Sequence, residues 1–376
     1  MLTHVIFLID SMVGGGAERA VVEMLRHLDH TRYRLSLALF RNDGDYMDLI
    51  PSYVTIIDLS RYTGRSNIIK RINGIRKMVA DNNPDIIIAG LESPNLSLLR
   101  AAPFIRGYCR IVITEHNNLS MRLKKSRSEL MKKAKSIEIQ ALYRLADRII
   151  AVSDGIKTDL VHNFSLPDQL ISVIHNPIDI EKIKLAGISS PEISGNYPNK
   201  PLTIISAGRL VPQKAFHELI KAFEKVREHV PALLLIFGEG PLRTELEQQV
   251  RSLNLEKYVK LPGFTNNLWS EMAKATIYAS SSHWEGFHLT LTEAMACGIP
   301  VVATDCDYGP REIITHGKNG LVTPVGDVEA LAKQIIELLC SDKRRRKLAN
   351  EGLTRSYDFD SRVIAKKYSE LIEAVL

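Results

Sequence analysis

Residues 202–223, "LTIISAGRLVPQKAFHELIKAF", run from an apolar stretch through a short basic loop into a helix pattern. A nearly continuous apolar run followed by a helix is the signature of a parallel strand covered on both faces. The same unit recurs in both directions. Upstream stand "VIFLI" (5–9), "LSLALF" (35–40), "VTIIDL" (54–59), "DIIIAG" (85–90), "RIVIT" (110–114), "RIIAV" (148–152) and "ISVIHN" (171–176). Downstream come "ALLLIFG" (232–238), "YVKLPG" (258–263), "ATIYAS" (275–280) and "PVVAT" (300–304). The expectation is an α/β chain with two Rossmann-like, doubly wound parallel sheets.

The length of 376 residues fits two such domains better than one core. A Pro-, Ser-, Gly- and Asn-rich stretch, "ISSPEISGNYPNKP" (188–201), marks the break. The expected boundaries are an N-terminal, acceptor-side domain over 1–180, a linker near 181–199 and a C-terminal domain for the donor ligand over 200–360. An amphipathic helix at 361–376 would pack back on the first domain. Ligands of such sheets bind outside the carboxyl ends of the strands, so two facing sheets would form a cleft between them.

Composition excludes several classes. No apolar run reaches the ~20 residues that span a bilayer. The opening residues read as a first strand, not a signal peptide. Cys109, Cys297, Cys306 and Cys340 lack metal-site spacing, which suits reduced thiols in the cytoplasm. The net charge of +6 lies wholly in residues 1–178, and the remainder is neutral.

Two loops carry the candidate chemistry. Arg209 and Lys214 lie between the strand of the opening stretch and its helix, where two cations and a helix N-terminus can hold an anion. Each alone could equally be a solvated surface charge. The second loop is in "WEGFHLTLTEAMACG" (284–298), which sets Glu285 before Gly286 and Glu293 inside a helix beginning near His288. Gly286 lets a ligand approach the backbone, and an ionised carboxylate accepts two sugar hydroxyls at once. The alternative makes Glu285 a helix cap and Glu293 a buried residue bonded to a neighbouring loop.

The E-x7-E pattern in "EGFHLTLTEAMACGIPVVATD" stands with "AGRLVPQKAFHELIKAF", "FGEGPLRTELE" and "GKNGLVTPVGDVEALA". Together these resemble the retaining glycosyltransferases of family GT4, which have the GT-B fold, and the likeness covers nearly the whole chain. It implies transfer of a sugar from a nucleotide-diphosphate donor with retained configuration and no metal or other cofactor. On that analogy Arg209 and Lys214 hold the diphosphate, Glu285 the transferred sugar and Glu293 the ribose. The backbone of Gly286, Phe287, His288 and Leu289 would cradle sugar and phosphate. Gly238, Gly240, Gly263 and Phe264 would flank the base. In the first half, the loop of Gly14, Gly15 and Gly16 fails the dinucleotide fingerprint, but in GT4 proteins it faces the diphosphate and acceptor. His116, in "VITEHNN", matches the histidine that bonds the transferred sugar in this family.

Some positions depart from the family pattern. His288 stands where many relatives have Gly or Pro, and Ala215 where many have Gly or Asn. "TDCDYGPREIITHG" replaces the commoner "GG-x-x-E". It resembles a bacterial subgroup adding galactose-type or N-acetylhexosamine sugars to lipid-linked or cell-surface oligosaccharides, which favours UDP over GDP. The pairs Asp43/Asp45, Asp305/Asp307 and Asp358/Asp360 could hold a divalent ion but read as structural.

The basic segments 65–78 and 121–136 interleave cations with apolar residues, a pattern suited to an anionic membrane surface or to a solvated helix face. They lack the stacking aromatics of a nucleic-acid site. The expected picture is a cytoplasmic enzyme bound peripherally to the inner face of the membrane. Alternatives are a GT-B epimerase or phosphorylase, or a catalytically silent binding homologue.

Overall fold

A computed structural model describes residues 2–62, 68–124, 128–188 and 202–376. Residues 65–67 and 125–127 of the basic segments, and 189–199 of the expected linker, lie outside these.

The chain divides into two compact units, Met1–Pro177 with Ser361–Leu376, and Ile178–Asp360. The first is built on β1 (Thr3–Ile9), β2 (Tyr33–Leu39), β3 (Thr55–Asp58), β4 (Ile86–Gly90), β5 (Arg110–Glu115), β6 (Arg148–Ala151) and β7 (Ile171–Val173). Their order is β3-β2-β1-β4-β5-β6-β7, all parallel. β1 and β4 are buried along almost their whole length, because helices cover both faces. The helix Ser361–Val375 belongs here. Its Ile364, Tyr368, Leu371 and Ile372 join Val21, Met24 and Leu25 of the helix Gly16–His27 in one core.

The second unit holds β8 (Leu202–Ala207), β9 (Ala232–Phe237), β10 (Val259–Gly263), β11 (Ile277–Ser280), β12 (Val301–Thr304) and β13 (Leu321–Thr323). Their order, β10-β9-β8-β11-β12-β13, is again parallel. The sequence does not announce β13, whose three residues lie between Gly320 and Pro324. The helix Ile180–Ile188 occupies residues read as linker, and it packs on the helices Leu268–Lys274 and Leu289–Ala296 of this unit. In each sheet the strand order reverses once, between β1 and β4 and between β8 and β11. At such a point neighbouring loops diverge and leave room for a ligand.

Candidate active site

In the second unit, chain entering and leaving the switch point is tied together by Lys214 and Glu285. Lys214 Nζ stands 2.6 Å from Glu285 Oε1. The loop carrying Lys214 is pinned to the loop after β11 by several bonds. The Ser281 hydroxyl donates to the carbonyls of Lys214 and Ala215, and His283 N–H donates to Gln213 O. Gln213 Nε2 donates to Trp284 O at 2.8 Å and lies 3.4 Å from Glu285 Oε2. Gln213 therefore orients the glutamate from its other oxygen, a role without a sequence signal beyond its place beside Lys214.

Glu285 is 5% exposed. Burial pushes its carboxyl up, but the charge of Lys214, with hydrogen bonds from Lys214 and the Ser282 hydroxyl, outweighs burial and holds it below the usual carboxylate range. The glutamate is thus an anion with a fixed cation beside it. It does not cap the following helix, whose N-cap is His288.

The His288 side chain, 1% exposed, turns into the unit. Its Nε2 lies 2.7 Å from Ser280 Oγ and its Nδ1 3.2 Å from Thr290 Oγ1, which in turn bonds the Tyr278 hydroxyl. Burial pushes its pKa down to about 4 against the pull of Glu285, so the ring is neutral near pH 7. Phe287 also faces inward, against Phe359 at 5.3 Å. With Phe287 and His288 turned inward, Gly286, Leu289 and the backbone of the stretch are left to meet a ligand. Glu293 lies one turn into the helix Leu289–Ala296 and is 1% exposed.

Arg209 is exposed and makes no ion pair among the described residues. It is therefore not joined to the Lys214–Glu285 pair. The nucleobase candidates form a laced patch at the ends of β8, β9 and β10. Gly238 N–H donates to Gly263 O, Leu210 N–H to Glu239 O and Leu242 N–H to Leu210 O. A Cβ on Gly238, at φ +130°, would stand 2.0 Å from Gly208 O. That glycine is required by loop packing with or without a ligand. Phe264 projects from the patch, mostly exposed.

In the first unit, Gly15 is the N-cap of the helix Gly16–His27 in extended backbone. His116 follows β5 directly and is half-buried, with burial pushing its pKa down to about 4 against a hydrogen bond to Asn176. Its Nδ1 is buried and has no hydrogen-bond partner among the described residues. A small cavity of ≈ 10 Å³, large enough for one water, is lined by His116, Gly90, Thr114 and Tyr368. The residue before it, Glu115, is fully buried and receives the Tyr143 hydroxyl at 2.7 Å. Burial pushes the Glu115 carboxyl up to about 7.

Asp305 is bound by Arg311 at 2.6 Å, and Asp358 by Arg355 at 2.6 Å. Within the basic segments, Arg71 reaches Asp10, Arg122 reaches Glu92, and Lys135 reaches Glu138 and Glu92. Those cations serve the unit itself. Leu130, Met131 and Ile137 stay exposed on the helix Glu129–Tyr143. No helix among the described residues is long and apolar enough to cross a membrane.

Two doubly wound units of parallel strands are the architecture of a class, the GT-B transferases. HepE of Anabaena, solved with UDP, superposes with a TM-score of 0.81 at 23% identity over 99% of this chain and 100% of its own. The apo form of the lipopolysaccharide outer core galactosyltransferase WaaB gives 0.76 at 21%, over all of both chains. Residues 192–355 match Glycosyl transferases group 1, and residues 14–182 match Glycosyltransferase Family 4. A Campylobacter jejuni N-acetylgalactosamine-N,N'-diacetylbacillosaminyl-diphospho-undecaprenol 4-alpha-N-acetylgalactosaminyltransferase is 31% identical over 363 residues, 95% of each chain. This chain belongs to glycosyltransferase family 4 and is a nucleotide-sugar glycosyltransferase of GT-B fold.

Proposed function

We propose that the chain moves a hexose or N-acetylhexosamine from a UDP-linked donor to a lipid-linked or cell-surface oligosaccharide, with retained configuration and without a metal. The observation that carries this reading is the buried Lys214–Glu285 pair beside the helix Leu289–Ala296. A fixed ammonium next to backbone N–H groups stabilises charge that develops on a departing diphosphate, and Glu285 is kept ionised to accept sugar hydroxyls. Arg209 adds a second cation, Glu293 takes the ribose, and His116 offers a nitrogen to the transferred sugar. The anomeric carbon leaves its phosphate oxygen and joins an acceptor oxygen on the same face. The acceptor proton goes to the departing phosphate. The UDP in HepE and the undecaprenyl-diphosphate-linked acceptor of the Campylobacter relative support the donor and acceptor classes.

The acceptor class suits a peripheral position on the inner face of the cytoplasmic membrane. Exposed Leu130, Met131 and Ile137, with Lys133 beside them, are the residues that would enter the headgroups. Co-sedimentation with anionic liposomes should fall when Lys132 and Lys133 are neutralised; unchanged binding removes this surface from the picture.

Thermal-shift titration against UDP, GDP, ADP and dTDP, with and without EDTA, tests the donor site. A ligand of the folded state raises Tm as its concentration rises. The expected result is a UDP shift insensitive to EDTA and much reduced in Glu293→Ala. Absence of a shift with every nucleotide overturns the reading.

A further inference from the structure

Beyond the Lys214–Glu285 turn, the second unit has a cleft of ≈ 530 Å³ at the carboxyl ends of β11, β12 and β13. That volume is typical of a small-molecule site. Its walls include His283, Asp305, Asp307, Arg311, Pro324 and Val325. We propose that this cleft is a saccharide subsite that holds a neutral sugar ring of the acceptor. The proposal rests on the transferase reading above.

The lining selects the ligand chemistry. Asp305 and Arg311 already neutralise one another at 2.6 Å, and Asp307 is exposed and makes no ion pair among the described residues. The excess negative charge disfavours a phosphate, so this is not an extension of the diphosphate site. The Asp307 carboxylate can accept two hydroxyls, and the exposed guanidinium of Arg311 has further N–H groups to donate. Pro324 and Val325, both exposed, offer an apolar wall to the C–H face of a ring. Hydroxyl edges with an apolar face are what a sugar presents.

The position selects the acceptor over the donor, so that part of the acceptor would reach the donor-binding unit and not the acceptor-side domain alone. The proposed nucleotide loops after β8, β9 and β10 lie on one side of the β8–β11 switch point, and this cleft lies on the other. Its wall, residues 305–309, backs directly on the Glu285 turn. Asp307 forms a parallel bridge with Trp284, and a Cβ on Gly309 would stand 3.3 Å from that of Glu285. A ring in the cleft is therefore one loop's thickness from the glutamate assigned to the transferred sugar.

The test uses the whole chain saturated with UDP and saturation-transfer NMR with methyl glycosides of N-acetylgalactosamine, N-acetylglucosamine, galactose and glucose. At least one glycoside should give a signal that falls about tenfold in Asp307→Ala, the loss of a contact to a charged group. It should persist in Glu285→Gln. Absence of any signal in the wild type overturns the proposal, as does a signal that survives Asp307→Ala. Basal hydrolysis of UDP-sugar, which needs no acceptor, should stay within about twofold in Asp307→Ala; a matching tenfold loss there also overturns the subsite. A wild type with no UDP thermal shift fails at the earlier step, the transferase reading itself.

Discussion

Glu115 and Glu285 stand in comparable places, and their carboxyl pKa values move in opposite directions. Each lies at or just beyond the carboxyl end of a strand near the middle of its sheet, and each is buried. Glu115 meets a tyrosine hydroxyl, which cannot repay the loss of hydration of an anion, so its carboxyl rises to about 7. Glu285 meets an ammonium at 2.6 Å and falls below the usual range. Burial is common to both, and the partner decides. One glutamate changes charge near neutral pH beside a tyrosine, whereas the other stays ionised beside a lysine, where the proposed transfer would use a charge.

The largest effect should come from separating the charged pair. Lys214→Met removes a fixed cation, and turnover should fall about 10²–10³-fold. It also leaves a buried carboxylate alone, at a cost of about 3–5 kcal/mol. Trp269 and Trp284 both lie in the second unit, so urea unfolding followed by tryptophan fluorescence reads that unit alone. The double variant Lys214→Met/Glu285→Gln should recover most of the stability and none of the turnover. Recovery of turnover would break the assignment. The folded Glu285 pKa is lowered, so its contribution is present above the unfolded value and lost as pH falls; the double variant should lack that acid sensitivity.

Glu115→Gln tests the member with the raised pKa. Its folded pKa is raised from 4.5 to about 7. The stability it confers is complete below pH 4.5 and is lost as pH rises through about 7, in total about 3 kcal/mol. The glutamine keeps an acceptor for Tyr143 and cannot ionise. Relative to wild type it should therefore gain stability from pH 5 to pH 8 by circular dichroism melts; a constant difference between the two would mean that Glu115 is ionised throughout. The smallest effect belongs to Gln213→Leu, which removes a bond to Trp284 O and a longer one to Glu285. It should cost about 1 kcal/mol of stability in the second unit and roughly tenfold in kcat. An unaltered kcat would show that Lys214 alone sets the carboxylate.

Both sheets were legible because buried parallel strands leave continuous apolar runs, and twelve of the thirteen strands have one. β13 did not, since three residues between glycine and proline carry too little pattern. The helix Ile180–Ile188 was hidden by the Pro- and Ser-rich residues that follow it. At the site, loop position marked Lys214 and Glu285 separately, but their pairing spans 71 residues and is a tertiary fact. For Glu115 the sequence has no signal at all, because its partner is a tyrosine 28 residues on.

The first unit is assembled from both sides of the second. Its core includes Ile364, Leu371 and Ile372, which the ribosome delivers only after every residue of the second unit. During synthesis the downstream unit can close first, while the upstream sheet waits with the apolar faces of Val21, Met24 and Leu25 uncovered. For that interval the earlier-made half is the one exposed to aggregation and in need of a chaperone.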